Sequence, residues 1–340
     1  MVMPKMFSVP DTPAYDVNRN QNHIPRGSNP VVDLSLNSTL TDPIQIINNN
    51  LTIMYNEMIG GAASAIDFMG QPYREGDEPH GFSSGGSSER GSHTAIHVWV
   101  GDPNNEYHED MGNFYSSGRD PLFYCHHANV DRMWTIWKDL PASYSKEFTD
   151  PDFLNSAFMF YDEEKNLVRI TVVDALDHKK MGYEYEHSHI PWIDYRPQQK
   201  LVPANFESLS KKAQTAKKLF PLKALNNTVR VIVPKPAKGK ADETLVVENI
   251  VTDNTKLVKF DGFINDEDDK PEEVDRAEYA GSYTQLPHRV KAKQSTGNLY
   301  LNLKELYENI NIADDDDSVV VTINGDAVNI NGIKIIPRVN

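Results

Sequence analysis

Two stretches decide how this chain is read. The first is Gly91-Ser92-His93-Thr94-Ala95-Ile96-His97-Val98-Trp99, and the second, a loop later, is Gly118-Arg119-Asp120-Pro121-Leu122-Phe123-Tyr124-Cys125-His126-His127-Ala128-Asn129-Val130-Asp131-Arg132-Met133-Trp134. His93 and His97 are four residues apart, and on a helix that spacing puts both imidazoles on one face, able to share a metal ion. Alone, such a pair is a weak signal. Thr94 fills the place where a zinc protease carries its general-base glutamate, which argues against metal-assisted peptide hydrolysis. The second stretch opens a helix with Pro121 in its first turn and runs through Leu122, Tyr124, His127, Val130, Trp134 and Trp137. Adjacent helical residues diverge by about 100°, so only one of His126 and His127 readily faces the same metal. The other makes a structural hydrogen bond. Three imidazoles without a thiolate or carboxylate suit copper, or zinc with an open position.

Outward from this centre, residues 1–40 are rich in Pro, Asn and Asp and read as an arm without helical period. Asp42-Pro43 starts a helix in which Ile44, Ile47, Leu51, Met54, Tyr55 and Met58 recur at helical spacing before Gly60-Gly61. Gly70 to Gly91 reads as loop. Leu167 to Val173 and Val231 to Val233 read as strands. Residues 198–228 carry Lys211-Lys212 and Lys217-Lys218 with little apolar period, as in a linker with one short helix. Beyond Val229, β-branched runs separated by Gly, Asn and Asp predict an all-β sandwich. The acidic runs from Asp266 and from Asp314 lack the glycine and alternation of a calcium loop and read as solvated turns.

The chain has 340 residues, enough for two domains. Its net charge of -15 argues against nucleic acid as a partner, because phosphate binding needs clustered Lys and Arg. The single cysteine, Cys125, closes off any intramolecular disulfide. No apolar run approaches the roughly 20 residues of a membrane span, and the first residues resemble neither a signal nor a transit peptide.

The two quoted stretches, with Gly101-Asp102 and Asp110-Met111-Gly112-Asn113-Phe114-Tyr115 between them, closely resemble the copper-B region of plant polyphenol oxidases, the catechol oxidase and tyrosinase family of type-3 copper proteins. The likeness extends over Met3-Pro4 to Phe7 and Tyr15-Asp16 through Asn20, to Asn155–Tyr161, to Tyr183-Glu184-Tyr185 and Ile190-Pro191-Trp192, and to Lys259-Phe260-Asp261, Ala280-Gly281-Ser282 and Gly332-Ile333-Lys334-Ile335. The resemblance implies an α+β fold: half of a type-3 copper helical bundle over residues 1–197, a linker over 198–228, and a β-sandwich shielding domain over 229–340. It implies oxidation of o-diphenols to o-quinones with dioxygen at a pair of coppers, each held by three histidines.

By match of position, His93, His97 and His127 are the copper-B ligands. Phe114 matches an aromatic gate that meets the substrate ring. Glu89, one turn before His93, matches a glutamate that orders a water near the site; the competing reading is a solvated charge beside Arg90. Thr94 sits where the family tunes activity on monophenols. Arg119, Asp120, Asp131 and Arg132 read as structural ion pairs, Tyr183 and Tyr185 as a structural tyrosine motif, and His187 and His189 as non-ligands. Cys125 departs from the family, where a small residue precedes the two histidines.

The other copper needs three more histidines. Before His93 the chain holds only His23 and His80, neither with a partner at ligand spacing, so the copper-A half is expected to lie outside it. One copper is then expected in place of two, and turnover by this chain alone is expected to fail. Apolar surface is expected to be exposed. A non-enzymatic remnant, a zinc hydrolase using Glu89, and an oxygen carrier are the competing readings. The family lives in the plastid, in the thylakoid lumen, but this chain carries no address of its own. Proteolytic release of the shield is expected within 198–228.

Overall fold

The computed structural model describes residues 2–26, 29–71, 85–141, 146–200, 204–236, 242–267, 274–287 and 293–338. Helix α1 (Pro43–Tyr55) starts where the Asp42 side chain accepts the Ile44 N–H and Pro43 fills the first turn. It continues as a π-helical turn over Asn56–Gly60. Ser64 caps α2 (Ala65–Met69) by accepting from the Asp67 N–H. A second π-helical turn, Glu89–His93, leads into α3 (Thr94–Val100). Helix α4 (Leu122–Asp139) is the longest.

Of the loop expected over Gly70 to Gly91, residues 72–84, His80 among them, lie outside the described residues, and from Ser87 the chain is helical. The reason is a buried partner for polar groups. Ser87 Oγ donates to the Glu57 carbonyl at 2.6 Å, and the Glu57 carboxylate takes both donors of Ser92. A serine-rich stretch that reads as solvated is docked on α1 instead. Ile44 and Ile47, which belong to the helical period, are exposed, and Ile46 and Ile53 are buried with Met54, Tyr55 and Met58. Ile47 lines a groove of about 260 Å³ with Leu51, Met54, Ile96, Met133 and Trp192.

The helical core is aromatic. Phe68 stacks on Trp137 with centroids 5.0 Å apart, Trp137 stacks on Trp134 at 5.3 Å, and Trp137 Nε1–H donates to the Ala62 carbonyl at 2.9 Å. The expected ion pairs within Arg119, Asp120, Asp131 and Arg132 do not form among themselves. Asp120 is gripped on both oxygens by Arg19 from the N-terminal arm, at 2.8 and 2.5 Å, while Arg19 Nη1 donates to the Phe7 carbonyl. Both side chains are buried, so removing either would strand a charge at a cost of about 3–5 kcal/mol. The Asp120 carboxylate also accepts the Leu122 N–H at 2.7 Å, starting α4. Asp131 accepts from Tyr183 Oη at 2.8 Å and from Tyr185 Oη; Arg132 donates to Ser188 Oγ at 2.5 Å. Arg119 lies over the Tyr115 ring. Charged neighbours in sequence thus find partners from distant segments, which spacing alone does not reveal.

Beyond α5 (Pro151–Asn155), an antiparallel hairpin pairs β1 (Ala157–Tyr161) with β2 (Leu167–Thr171). β2 stops short of Val173 because a capping box between Thr171 and Asp174 starts α6 (Val172–Ala175). Phe158, Met159, Phe160 and Tyr161 are exposed. The stretch 198–228 holds two helices where one was expected, α7 (Phe206–Lys212) and α8 (Ala216–Leu219), separated by β3 (Gln214–Thr215). A long strand, β4 (Leu222–Pro234), begins within it.

The remaining strands are β5 (Glu243–Asp253), β6 (Val258–Ile264), β7 (Tyr279–Gln285), β8 (Gln294–Asn302) and β9 (Ser318–Pro337), with α9 (Lys304–Ile310) before the last. They form one folded sheet. β9 pairs with β4 on one edge; on the other it pairs first with β6 and then with β5. The branches β6–β7 and β5–β8 therefore close over a shared core in which Phe260 and Tyr283 meet Val247, Leu299 and Leu301. Val319, Val320, Val321 and Thr322 are all buried, so β9 is covered on both faces. Asp266, read as part of a solvated turn, is buried 3.5 Å from Lys200; Asp268 and Asp269 lie outside the described residues. Asp314 to Asp317 are exposed.

The two halves share a core: Phe263, Val274 and Tyr279 pack with Met54, Met58 and Trp99. Arg338 from the end of the chain donates to Asp67 at 2.6 Å, and Tyr55 Oη to Glu305 at 3.1 Å.

Candidate metal centre

His93 closes the π-helical turn, His97 lies one turn on in α3, and His127 projects from α4. Their ring nitrogens converge. His93 Nε2 is 2.9 Å from His127 Nε2, and His97 Nε2 is 3.3 Å from the same atom. Two nitrogens each about 2 Å from one ion lie roughly 3.3 Å apart, so this trio has the spacing of ligands around a common metal. His126 joins the group, whose donor atoms all fall within 4.8 Å of one another.

Hydrogen bonds sort the four rings. His97 Nδ1 lies 2.8 Å from the Met111 carbonyl. A carbonyl only accepts, so Nδ1 carries the proton and the Nε2 lone pair is free, the usual outer-shell device for a ligand histidine. His126 Nε2 lies 2.9 Å from the His93 carbonyl, so the proton of that ring sits on Nε2. Burial and the proximity of the other rings push His93 down to about 3 and His97, chiefly by burial, to about 4; burial lowers His126 and His127 as well. All four are neutral at pH 7, the form that binds metal. The donor set fits copper: imidazole nitrogens alone, held neutral.

Glu89 heads the π turn, with Oε2 3.6 Å from His93 Nδ1, an approach too long for a hydrogen bond. Burial raises its carboxyl above the ordinary range. Thr94 is buried, and its hydroxyl donates to the Glu89 carbonyl at 2.6 Å, so the side chain turns into its own helix. Phe114 sits in the loop that supplies the Met111 carbonyl and is 37% exposed. Phe123 packs edge-on to His127, with centroids 3.9 Å apart.

Phe123 was not among the expected site residues although a signal existed, since it lies four residues before His127 on the same helical face. The Met111 carbonyl carries no side-chain signal. Glu57, beneath the π turn, could not be found from spacing. His23 is apart from the cluster, stacked on Trp99 at 4.0 Å; Cys125, His187 and His189 are exposed and outside the group.

Residues 6–140 match the family profile described as the common central domain of tyrosinase, residues 147–198 the polyphenol oxidase middle domain, and residues 220–337 the chloroplastic polyphenol oxidase C-terminal domain. Polyphenol oxidase II, chloroplastic, of Ipomoea batatas is 42% identical over 353 residues, covering 99% of this chain and 59% of its own length. Polyphenol oxidase, chloroplastic, of Malus domestica is 41% identical over 360 residues, covering 98% and 59%. The chain thus spans about three fifths of the curated relatives it matches. Among solved structures, latent apple tyrosinase is 41% identical with a TM-score of 0.89, over 99% of this chain and 74% of that one. Recombinantly expressed latent aurone synthase is 36% identical with a TM-score of 0.84, over 98% and 68%.

Proposed function

The chain belongs to the plant polyphenol oxidases of the type-3 copper family, and from that premise we propose that it carries the copper-B half of an o-diphenol oxidase. The single observation that carries this reading is the convergence of His93, His97 and His127 on one point through Nε2. These three would hold the ion, with His126 donating to the His93 carbonyl behind them. Copper supplies the one-electron steps that link phenol oxidation to dioxygen reduction. Each o-diphenol surrenders two electrons and two protons to become an o-quinone, and two such events reduce one dioxygen to two waters.

The chain's own residues orient and exclude. The Met111 carbonyl fixes His97 in the tautomer that frees Nε2. Phe123 walls one side of His127, and Phe114, on the nearby loop, is the proposed contact for a substrate ring. Glu89 is the proposed acceptor of a phenolic proton through a water. Thr94 is given the role of closing the π turn, since its hydroxyl is spent on the Glu89 carbonyl. Relatives named chloroplastic support a plastid address, and the thylakoid lumen is the finer proposal. The folded sheet over 229–340 is proposed as a shield for the site, with 198–228 as its linker.

Among the described residues one group could hold a metal, and no helix is long and apolar enough to cross a membrane. We propose that this group takes one copper and that the chain alone produces no quinone. The test is purified chain with copper, air and catechol. No growth of o-quinone absorbance above free copper is expected; sustained turnover would overturn the single-copper reading.

A further inference from the structure

The π turn that ends in His93 does not hold itself. Its middle is propped from below by Glu57, an acid at the end of the first helical segment that is only 2% exposed. Glu57 Oε2 accepts the Ser92 backbone N–H at 2.7 Å, and Oε1 accepts the Ser92 hydroxyl at 3.0 Å. Both donors of the residue before the ligand therefore end on one carboxylate. The next residue back is Gly91, where a Cβ would sit 2.4 Å from Oε2. The backbone here, with φ -91° and ψ -124°, departs from helix to let the carboxylate in. On the far side the turn is met by the C-terminal sheet, where Ser282 Oγ in β7 donates to the Arg90 carbonyl at 3.3 Å.

A buried carboxylate with two donors from one residue is an expensive arrangement. It is retained where geometry must be fixed, and π-helical turns are frequent at functional sites. Glu57 reaches the turn through Ser88, Gly91 and Ser92, the residues its carboxyl meets, and so acts on His93 through the chain that carries it.

We propose that Glu57 is a positioning residue of the copper site, holding the Gly91–Ser92 backbone so that His93 Nε2 meets His97 and His127. The proposal rests on the copper-B reading above. Removing a group hydrogen-bonded to a metal ligand typically costs about 10–100-fold in metal affinity, and Glu57, which bonds the residue before the ligand, is expected at the low end of that range.

The experiment measures copper(II) affinity of the whole chain by chelator competition, the EPR spectrum of the copper-loaded chain, and thermal unfolding of the metal-free chain. E57L keeps volume but offers no acceptor, and should weaken copper binding by about tenfold or more and change the copper hyperfine splitting. E57Q keeps one acceptor for the Ser92 N–H while the hydroxyl turns to accept from the amide, so it should restore affinity to within about threefold of wild type. G91A, which presses on the same carboxylate, should weaken binding in the same direction and serves if E57L does not fold. L299A, buried in the C-terminal core, is the control for general destabilisation and should leave the spectrum unchanged. An E57L or G91A chain that binds copper within about threefold of wild type, with the same spectrum, would overturn the proposal. So would a loss no greater than that of L299A at matched stability. If the wild type itself takes up no copper, the copper-B reading fails and this inference with it.

Discussion

Neighbours in sequence, His126 and His127 leave α4 about 100° apart, and their hydrogen bonds assign them different work. His126 spends its Nε2 proton on the His93 carbonyl, while His127 Nε2 faces the two other ligand candidates. His127→Asn should abolish tight copper binding, with a loss of at least about a hundredfold. His126→Asn should keep a one-to-one stoichiometry with weaker affinity, by about tenfold, as for an outer-shell partner. Isothermal titration with copper(II) separates the two, and equal losses would refute the assignment. The trio and the need to choose between adjacent histidines were expected from the sequence, and the structure brings the three Nε2 atoms together. The sequence did not carry Phe123 or Glu57, because each acts through a contact whose partner is fixed only once α1, α3 and α4 are packed. Phe123 was at least legible in principle, at i−4 from His127. Glu57 stands far from His93 along the chain, with no pattern to mark it.

At the scale of elements, the four lowered histidines make the helical half sensitive to acid. Each has a folded pKa below the unfolded value of 6.5, with His93 at about 3 and His97 at about 4. Above 6.5 both states are neutral and nothing depends on pH. As pH falls through 6.5 the unfolded chain takes up protons that the folded cluster refuses, so stability declines down to about 4 and further until the folded rings protonate. Glu57 works in the opposite direction, since burial raises its carboxyl to about 8 and its contribution is lost as pH rises from 4.5. Glu89 and Asp16, also raised by burial, act with Glu57, and His23, lowered by burial, adds to the four rings, so the imidazoles still outnumber the carboxyls. The metal-free chain should melt several degrees lower at pH 5 than at pH 7, and copper should raise both melting temperatures without closing that gap, because the folded rings are already neutral in this window; a melting temperature indifferent to pH in this window would contradict it. Element existence was mostly legible from caps and periods: Asp42-Pro43 and Asp120-Pro121 mark α1 and α4. The π turn was not, because a serine-rich stretch is helical here only through its buried contacts with Glu57.

For the molecule as a whole, the two halves are joined by more than a linker. Lys211 and Lys212 are exposed at the end of α7, where trypsin is expected to cut. The pieces should nevertheless elute together on size exclusion, because Phe263, Val274 and Tyr279 belong to the same core as Met54 and Trp99, and Arg338 grips Asp67. Separation without denaturant would contradict this. The mixed α+β fold was expected from the family resemblance and from the β-branched runs beyond Val229, whereas the single folded sheet was not: β9 changes partner along one edge, from β6 to β5, and strand-like runs do not disclose pairing. The central claim is that this chain holds one copper through His93, His97 and His127. It is tested most directly by metal analysis of the purified chain after loading with copper and removal of excess. The account predicts a copper-to-chain ratio near one that falls to near zero in His127→Asn; no copper, or a ratio near two, would contradict it.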